Sequence, residues 1–447
     1  MLEIILLQFS TGEYHPLARN PQIYVQDSSS RRPAIAMEIV GESLALVVNN
    51  RGGRFRDKLF IFNWKTGHKK LVGYCFSQPP PIYSYFSLRI QYHEAAENAY
   101  ASLVFISPEI LIIPNVVHGQ YEVWKIPKET DIFPHQILGL QFPALSKGHF
   151  ILNLSCRGEP NPFLHDIPHA PPRPFHTSVD NAIIITIIHL ASFPGLFGST
   201  STLVMHRRAL LDAVINLTSP EKPLPPGIRQ HHNDARVFDL TGDMPYSLSL
   251  AVTTDAQAPY SAPALGTWYG WYSIPWSKWG PPISRWFDDD QSLTRWITTS
   301  AGQRWAVLKP VDRENYQISM IDFNPYNIRH APSDLPGELV VERQGSFLNH
   351  GDAFAEKIEM GLGCTIYTAP EIYDFDGLLM EEERLLGLKV CIAMAFASIC
   401  ADVGRPTILG MFKRLPSSIL AEKMSRFTCM IAVPYVCNKI SPPMAER

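Results

Sequence analysis

Proline constrains this chain more than any other residue: there are 38 among 447 residues, against about 5% in average usage. Without an N–H and with φ fixed, proline ends helices and is kept out of central sheet positions. Long helical bundles and coiled coils are excluded, and short elements joined by many turns are required. The prolines gather at 79–81, 160–174, 220–226 and 281–282 and leave the β-branched runs between them nearly free. They are loop chemistry on a β scaffold. With 46% apolar and 18% charged residues, the chain is too hydrophobic for intrinsic disorder.

The formal net charge of −3 offers no field for nucleic acid or anionic lipid, so neither partner is expected. The Met1–Gln8 start has no basic region before its short apolar run, which fails as a secretory signal. The longest apolar stretch, 182–190, is too short to span a bilayer. Seven cysteines without framework spacing fit a reducing compartment, cytoplasmic or nuclear, and no secretion.

Short β-branched and aromatic runs recur at Ile35–Val40, Leu44–Val48, Leu59–Trp64, Leu103–Ile106, Ile110–Pro114, Tyr121–Ile126, Ile137–Phe142, Ile183–Leu190, Val237–Leu240, Trp305–Leu308 and Gln317–Phe323. This spacing predicts an all-β fold. Two helices are expected, over Ala209–Ile215 and over Leu378–Leu388, the second with acidic residues near its start and a glycine stop.

The strands repeat. Ile39–Leu46 aligns with Phe105–Ile112 at an offset of 66, Phe60–Lys65 with Gln120–Lys125 at 60, and Leu6–Gly12 with Ile61–Gly67 at 55. By the last match the sequence opens in the second half of a repeat. A unit of 55–66 residues that reads strand, turn, strand, loop, strand, Thr-Gly predicts antiparallel sheets stacked as propeller-like blades with enlarged Pro-rich loops. Stacking is needed because one four-stranded sheet cannot bury both of its faces. A sandwich or mixed all-β assembly is the alternative topology.

Several of these segments resemble a known family. Ile39–Val48, Leu59–Gly67, Ser102–Glu109, Glu122–Pro127, Thr202–Leu211, Trp296–Trp305 and Tyr373–Leu388 are similar to the F-box-like proteins of mushroom-forming fungi, a likeness that covers roughly residues 4–389. The resemblance implies a β-rich, propeller-like domain that holds a protein substrate for an SCF-type ubiquitin ligase, with an F-box module binding the Skp adaptor. No leucine- and proline-patterned helical module stands at the start of this sequence, so the adaptor is a partner only if an F-box is encoded upstream. Residues 390–447 leave the family pattern and carry four of the seven cysteines. The expected division is therefore a β domain over 1–389 and a divergent tail over 390–447, disordered or a gene-prediction artefact.

Candidate chemistry is sparse. Asp374, Asp376 and Gly377 match the Asp-x-Asp-Gly loop of phosphoryl-transferring aspartates, but the lead-in is not a buried parallel strand and no paired acidic metal site follows. His231 and His232 are adjacent and so point apart, after a proline cluster that reads as an exposed loop. His165 and His169 lie in the most proline-dense loop, and no cysteine pair has zinc spacing. Nucleophile-elbow, phosphate-loop and dinucleotide motifs are absent. No catalytic residue, metal or cofactor is expected.

The unusual segment is aromatic: seven of the nine tryptophans fall between Trp268 and Trp305. Trp268, Tyr269, Trp271, Tyr272, Trp276 and Trp279 are the candidate partner-binding residues, since rigid aromatics with a polar handle suit interfaces and stacking. Folding of the loop onto its own body is the competing role. The leading expectation is a non-enzymatic interaction domain. The alternatives are a carbohydrate-binding or glycan-acting propeller and a degenerate inactive copy.

Overall fold

The computed structural model describes residues 2–8, 10–26, 33–49, 57–70, 93–94, 99–128, 134–159, 182–193, 198–219, 221, 228–232, 270–288, 299–312, 315–331, 337–342, 345–348, 353–375, 377–380 and 385–388. The predicted strand at Val237–Leu240, the histidines at 165 and 169 and the tail 390–447 lie outside them.

The described chain is mostly β, in several antiparallel sheets with few helices. Strands β1 (Leu2–Ile5) and β2 (Gln22–Gln26) pair as a hairpin. A first sheet follows, of β3 (Ala34–Val40), β4 (Ser43–Asn49) and β5 (Lys58–Asn63), with β6 (His68–Lys69) and β7 (His93–Glu94) both on the far edge of β5. A second has β8 (Val104–Ser107), β9 (Ile110–Asn115), β10 (Gln120–Lys125) and β11 (His135–Gln141). The third opens with β12 (His149–Gly158), β13 (Ile183–Ser192) and β14 (Gly198–His206), from which helix α1 (Arg207–Thr218) leaves.

Next, β15 (Arg229–His232) and β16 (Gly270–Ile274) extend the second sheet, β16 running parallel to β11. After the short helix α2 (Trp276–Trp279) and a 3-10 turn over Pro281–Ile283, β17 (Ser284–Asp288) completes the third sheet. The fourth contains β18 (Ser300–Ala301), β19 (Arg304–Pro310) and β20 (Tyr316–Asp322). Helix α3 (Pro325–Arg329), strand β21 (Glu338–Glu342) and the hairpin β22 (Ser346–Leu348) with β23 (Ile358–Met360) come before β24 (Cys364–Tyr373), which inserts between β20 and β21. A last hairpin joins β25 (Gly377–Met380) to β26 (Leu385–Leu388).

The sheets pack face to face in chain order. Leu2, Ile23 and Val25 cover Leu44, Leu46 and Phe62 of the first sheet. Its other face, with Ala45, Val47 and Ile61, meets Phe105, Leu111 and Trp124 of the second. Beyond these, Ile112, Tyr121 and Leu138 meet Leu154, Ile184 and Met205 of the third. Ile183, Ile185 and Val204 then meet Trp305, Val307 and Phe323 of the fourth, and Ala306 and Leu308 meet Leu378 and Met380 of the last hairpin. All seven residues of β4 are buried, because it has a layer on each side. Burial on both faces is why it reads as a continuous apolar run rather than an alternating one.

The repeat is present with a changed register. The tight turns Val40↔Ser43 and Ser107↔Ile110 correspond at an offset of 67 instead of 66. Leu44↔Phe62 then corresponds to Leu111↔Trp124, so Trp124 matches Phe62 rather than Trp64. Side chains alternate between faces, and a one-residue slip exchanges the two. A run apolar at every position does not show which face is which. The 55-residue match holds: Leu7↔Tyr14 mirrors Phe62↔Lys69, and Gly12 (φ 72°) and Gly67 (φ 74°) each donate to the carbonyl four residues back, at 2.8 Å.

The helix expected over Leu378–Leu388 is a β-hairpin. Leu378 and Met380, two apart, bury against the fourth sheet, and a Cβ on Gly387 would come within 2.3 Å of the Phe375 ring. Tertiary packing with period 2 overrides helix propensity here. The expected helix at Ala209–Ile215 forms as part of α1, with Leu210 and Val214 buried. His231 and His232 are in strand β15, not in a loop, since pairing with Trp271 and Gly270 draws them into the second sheet.

Candidate functional site

The aromatic segment divides. Trp268 and Tyr269 lie outside the described residues; Trp271 and Tyr272 sit half-buried in β16. Trp279 is 2% exposed, and its indole N–H donates to the Gln141 carbonyl at 3.0 Å. The half-buried Trp276 meets Trp279 and Trp286 edge to face, at 4.9 and 5.6 Å between ring centres. These rings fill the layer between the second and third sheets. Gly280 makes this possible, since a Cβ there would lie 2.3 Å from the Trp276 ring.

A second candidate site is a polar seam where the opening strands of successive sheets come together. From β3, the Glu38 carboxylate accepts the backbone N–H of Phe105 in β8 at 2.8 Å. Just before β8, the Ser102 hydroxyl accepts from the Cys156 backbone N–H of β12 at 2.7 Å and lies 3.5 Å from its thiol. Arg157 donates to Thr299, the residue before β18. Arg207, at the start of α1 and 1% exposed, packs against Gly158, where a Cβ would meet its guanidinium at 3.0 Å. Four consecutive sheets are thus tied by side chains outside their ladders.

Burial sets the electrostatics of this seam. It pushes Glu38 up to about 7, opposed by the Phe105 hydrogen bond and by the charge of Arg207, and it also raises Glu159 against the pull of Arg157 and Arg207. The Arg157 guanidinium is lowered by burial and supported by Glu159. Burial holds the Cys156 thiol up at about 12, so it stays protonated and is no nucleophile at neutral pH. The seam can hold or release a proton at Glu38 and cannot mount thiolate chemistry. None of its members is singled out by the sequence; the available sign was a lone glutamate inside the apolar run Ala34–Val40.

The third site is an open groove of about 610 Å³ beside the β8–β9 turn. Ile110, Ile137, Leu211 and Ile215 form its apolar floor, and Lys125, Lys128 and His135 line it with Glu109. Lys128 pairs with Glu109 at 2.7 Å. Ile215 is 52% exposed on α1. The sequence locates the helix but not the groove, which exists only because α1 folds back onto the second sheet.

Among the described residues no three His, Cys, Asp or Glu side chains are placed to hold a metal ion, and no helix is long and apolar enough to cross a membrane. Asp376 of the Asp-x-Asp-Gly match lies outside the described residues. No protein-family model matches the chain, and no curated protein matches it.

Proposed function

We propose that this chain is the propeller-like, substrate-recognising part of an F-box-like protein, a non-enzymatic interaction domain that presents a protein to an SCF-type ubiquitin ligase. The groove between α1 and the second sheet carries the binding part of this reading. An apolar floor with a basic rim suits a peptide that offers one or two large apolar side chains beside acidic ones. The serial stacking of antiparallel sheets supports the architecture that the family likeness implies. Fold alone does not assign function, so the ligase role rests on the likeness of residues 4–389.

The mechanism is positioning. A held substrate keeps its lysines at high effective concentration near the ubiquitin-charged enzyme, and this chain makes and breaks no bond. The test is affinity purification of the complete gene product from its own cells. The Skp adaptor and cullin are expected to co-purify, and their absence under conditions that retain other F-box proteins overturns the reading. The glycan-binding alternative needs an exposed aromatic platform, and of its described rings Trp279 is buried and the others half-buried.

A further inference from the structure

In three of the four large sheets, the face of the opening strand that looks back along the stack is covered by the preceding sheet. Leu103 and Phe105 at β8 are 6% and 0% exposed, Leu154 and Cys156 of β12 are 0% and 6%, and Ser300 of β18 is 1%. The first sheet differs. Ile35, Met37 and Ile39 of β3 are 43%, 48% and 36% exposed, although they pair with Val48, Leu46 and Leu44, which are buried on that same face. The β1–β2 hairpin covers β4 and β5 and leaves β3 bare.

The repeat explains the gap. At the 55-residue offset β1 corresponds to β5, the third strand of a sheet, and β2 pairs with it at Glu3↔Tyr24 where β7 pairs with β5 at Lys58↔Glu94, the fourth position. Positions one and two, which would cover β3, are not supplied by β1–β2. Beyond the fourth sheet, β25–β26 is also a two-stranded pair among the described residues. It buries Leu378 and Met380 on the fourth sheet. Its other face carries Leu379 with its cross-strand partner Leu386, both partly exposed. Two strands at one end of the stack and two at the other make four, the number in the third sheet and the length of the antiparallel path β3–β6, β8–β11 or β18–β24 that starts each of the others.

We propose that β26 pairs edge to edge with β1, so that β25–β26–β1–β2 form a fifth four-stranded sheet and the row of sheets closes into a ring. Leu379 and Leu386 then cover Met37 and its neighbours, and the opening strands surround the Glu38–Arg207 seam. This closure rests on the propeller-like reading above. Its physical driving forces are the burial of two apolar faces and the pairing of two strand edges, which otherwise stay open to other chains.

Cysteine pairs in the full-length chain test it. Glu3→Cys is combined in turn with Leu385→Cys, Leu386→Cys, Gly387→Cys and Leu388→Cys, oxidised, and mapped by peptide mass spectrometry. Closure predicts an intramolecular disulfide in at least one pair, and Met37→Lys is expected to lower Tm by several degrees. Ser102→Cys is the control: its sulfur is placed beside Cys156 across the second and third sheets, where the native atoms are 3.5 Å apart. If Ser102→Cys links and no β1–β26 pair does, closure is overturned and the stack stands. If Ser102→Cys also fails, the stacked reading itself falls. Disulfides only between chains, with a dimer by light scattering, mean that a second copy covers β3, which also overturns closure.

Discussion

Replacing Glu38 by glutamine keeps an oxygen to accept the Phe105 N–H, 2.8 Å away in the native protein, and removes the ionisable group. In the folded chain burial raises this carboxyl from 4.5 to about 7. Below pH 4.5 it is protonated folded and unfolded, and it costs nothing. Between 4.5 and 7 the unfolded chain ionises first, so native stability falls as pH rises, and above 7 the full cost is present. At about 1.36 kcal/mol per pH unit the ceiling is about 3 kcal/mol. Glu38→Gln is therefore expected to match the native chain near pH 4.5 and to exceed its stability by up to about 3 kcal/mol at pH 8. Urea unfolding followed by tryptophan fluorescence at several pH values measures both curves. Glu159 is raised in the same direction, and its charge adds to the raising of Glu38, so the difference reads the burial of Glu38 together with its repulsion from Glu159. A difference independent of pH, or a native chain more stable than the variant at pH 8, refutes the reasoning.

Trp279→Ala removes a buried ring that meets Tyr121 and Trp276 and donates to Gln141, and is expected to cost about 3–5 kcal/mol in denaturant unfolding; a loss below about 1 kcal/mol places the ring outside the core. At Gly361 an added Cβ meets the backbone of Pro281 and Pro282 at 2.7 Å, so Gly361→Ala is expected to lower stability by about 1–3 kcal/mol, with an unchanged Tm as the contrary result. Cys156 and Cys364, held up at about 12 and about 11 by burial, are expected to resist iodoacetamide at pH 8 in the native chain and to react once urea unfolds it; native labelling at the rate of a free thiol contradicts their placement. In the groove, Ile215→Glu is expected to abolish photo-crosslinking to substrate proteins without moving Tm, because this residue is half in solvent; retained crosslinking moves the binding site elsewhere.

The legible part of the fold was local. Runs such as Leu44–Val48 and Ile183–Leu190 have no helical competitor, since β-branched and aromatic side chains crowd a helix and fit a pleated sheet. The Thr-Gly turns were legible for a similar reason: glycine takes positive φ without steric cost, and both Gly12 and Gly67 do so. Leu378–Leu388 misled because its helix formers carry apolar residues that serve period 2 equally well, and contact with Ala306 and Leu308 decides between the two. The tryptophans illustrate the same limit. Their composition fits an interface or a core, and the position of α2 between two sheets puts Trp279 in the core.

The sequence by itself determined that this chain is built of short strands and proline-bearing loops, and that its sheets recur, because φ restriction and side-chain crowding act within a few residues. Tertiary structure alone decided the register of the repeat, the fate of the aromatic segment and the gathering of Glu38, Ser102, Arg157 and Arg207 into one seam. Those residues are distant in sequence and meet only when one sheet is laid on the next. Their ionisation follows from exclusion of water, a property of the packed layers that no single segment contains.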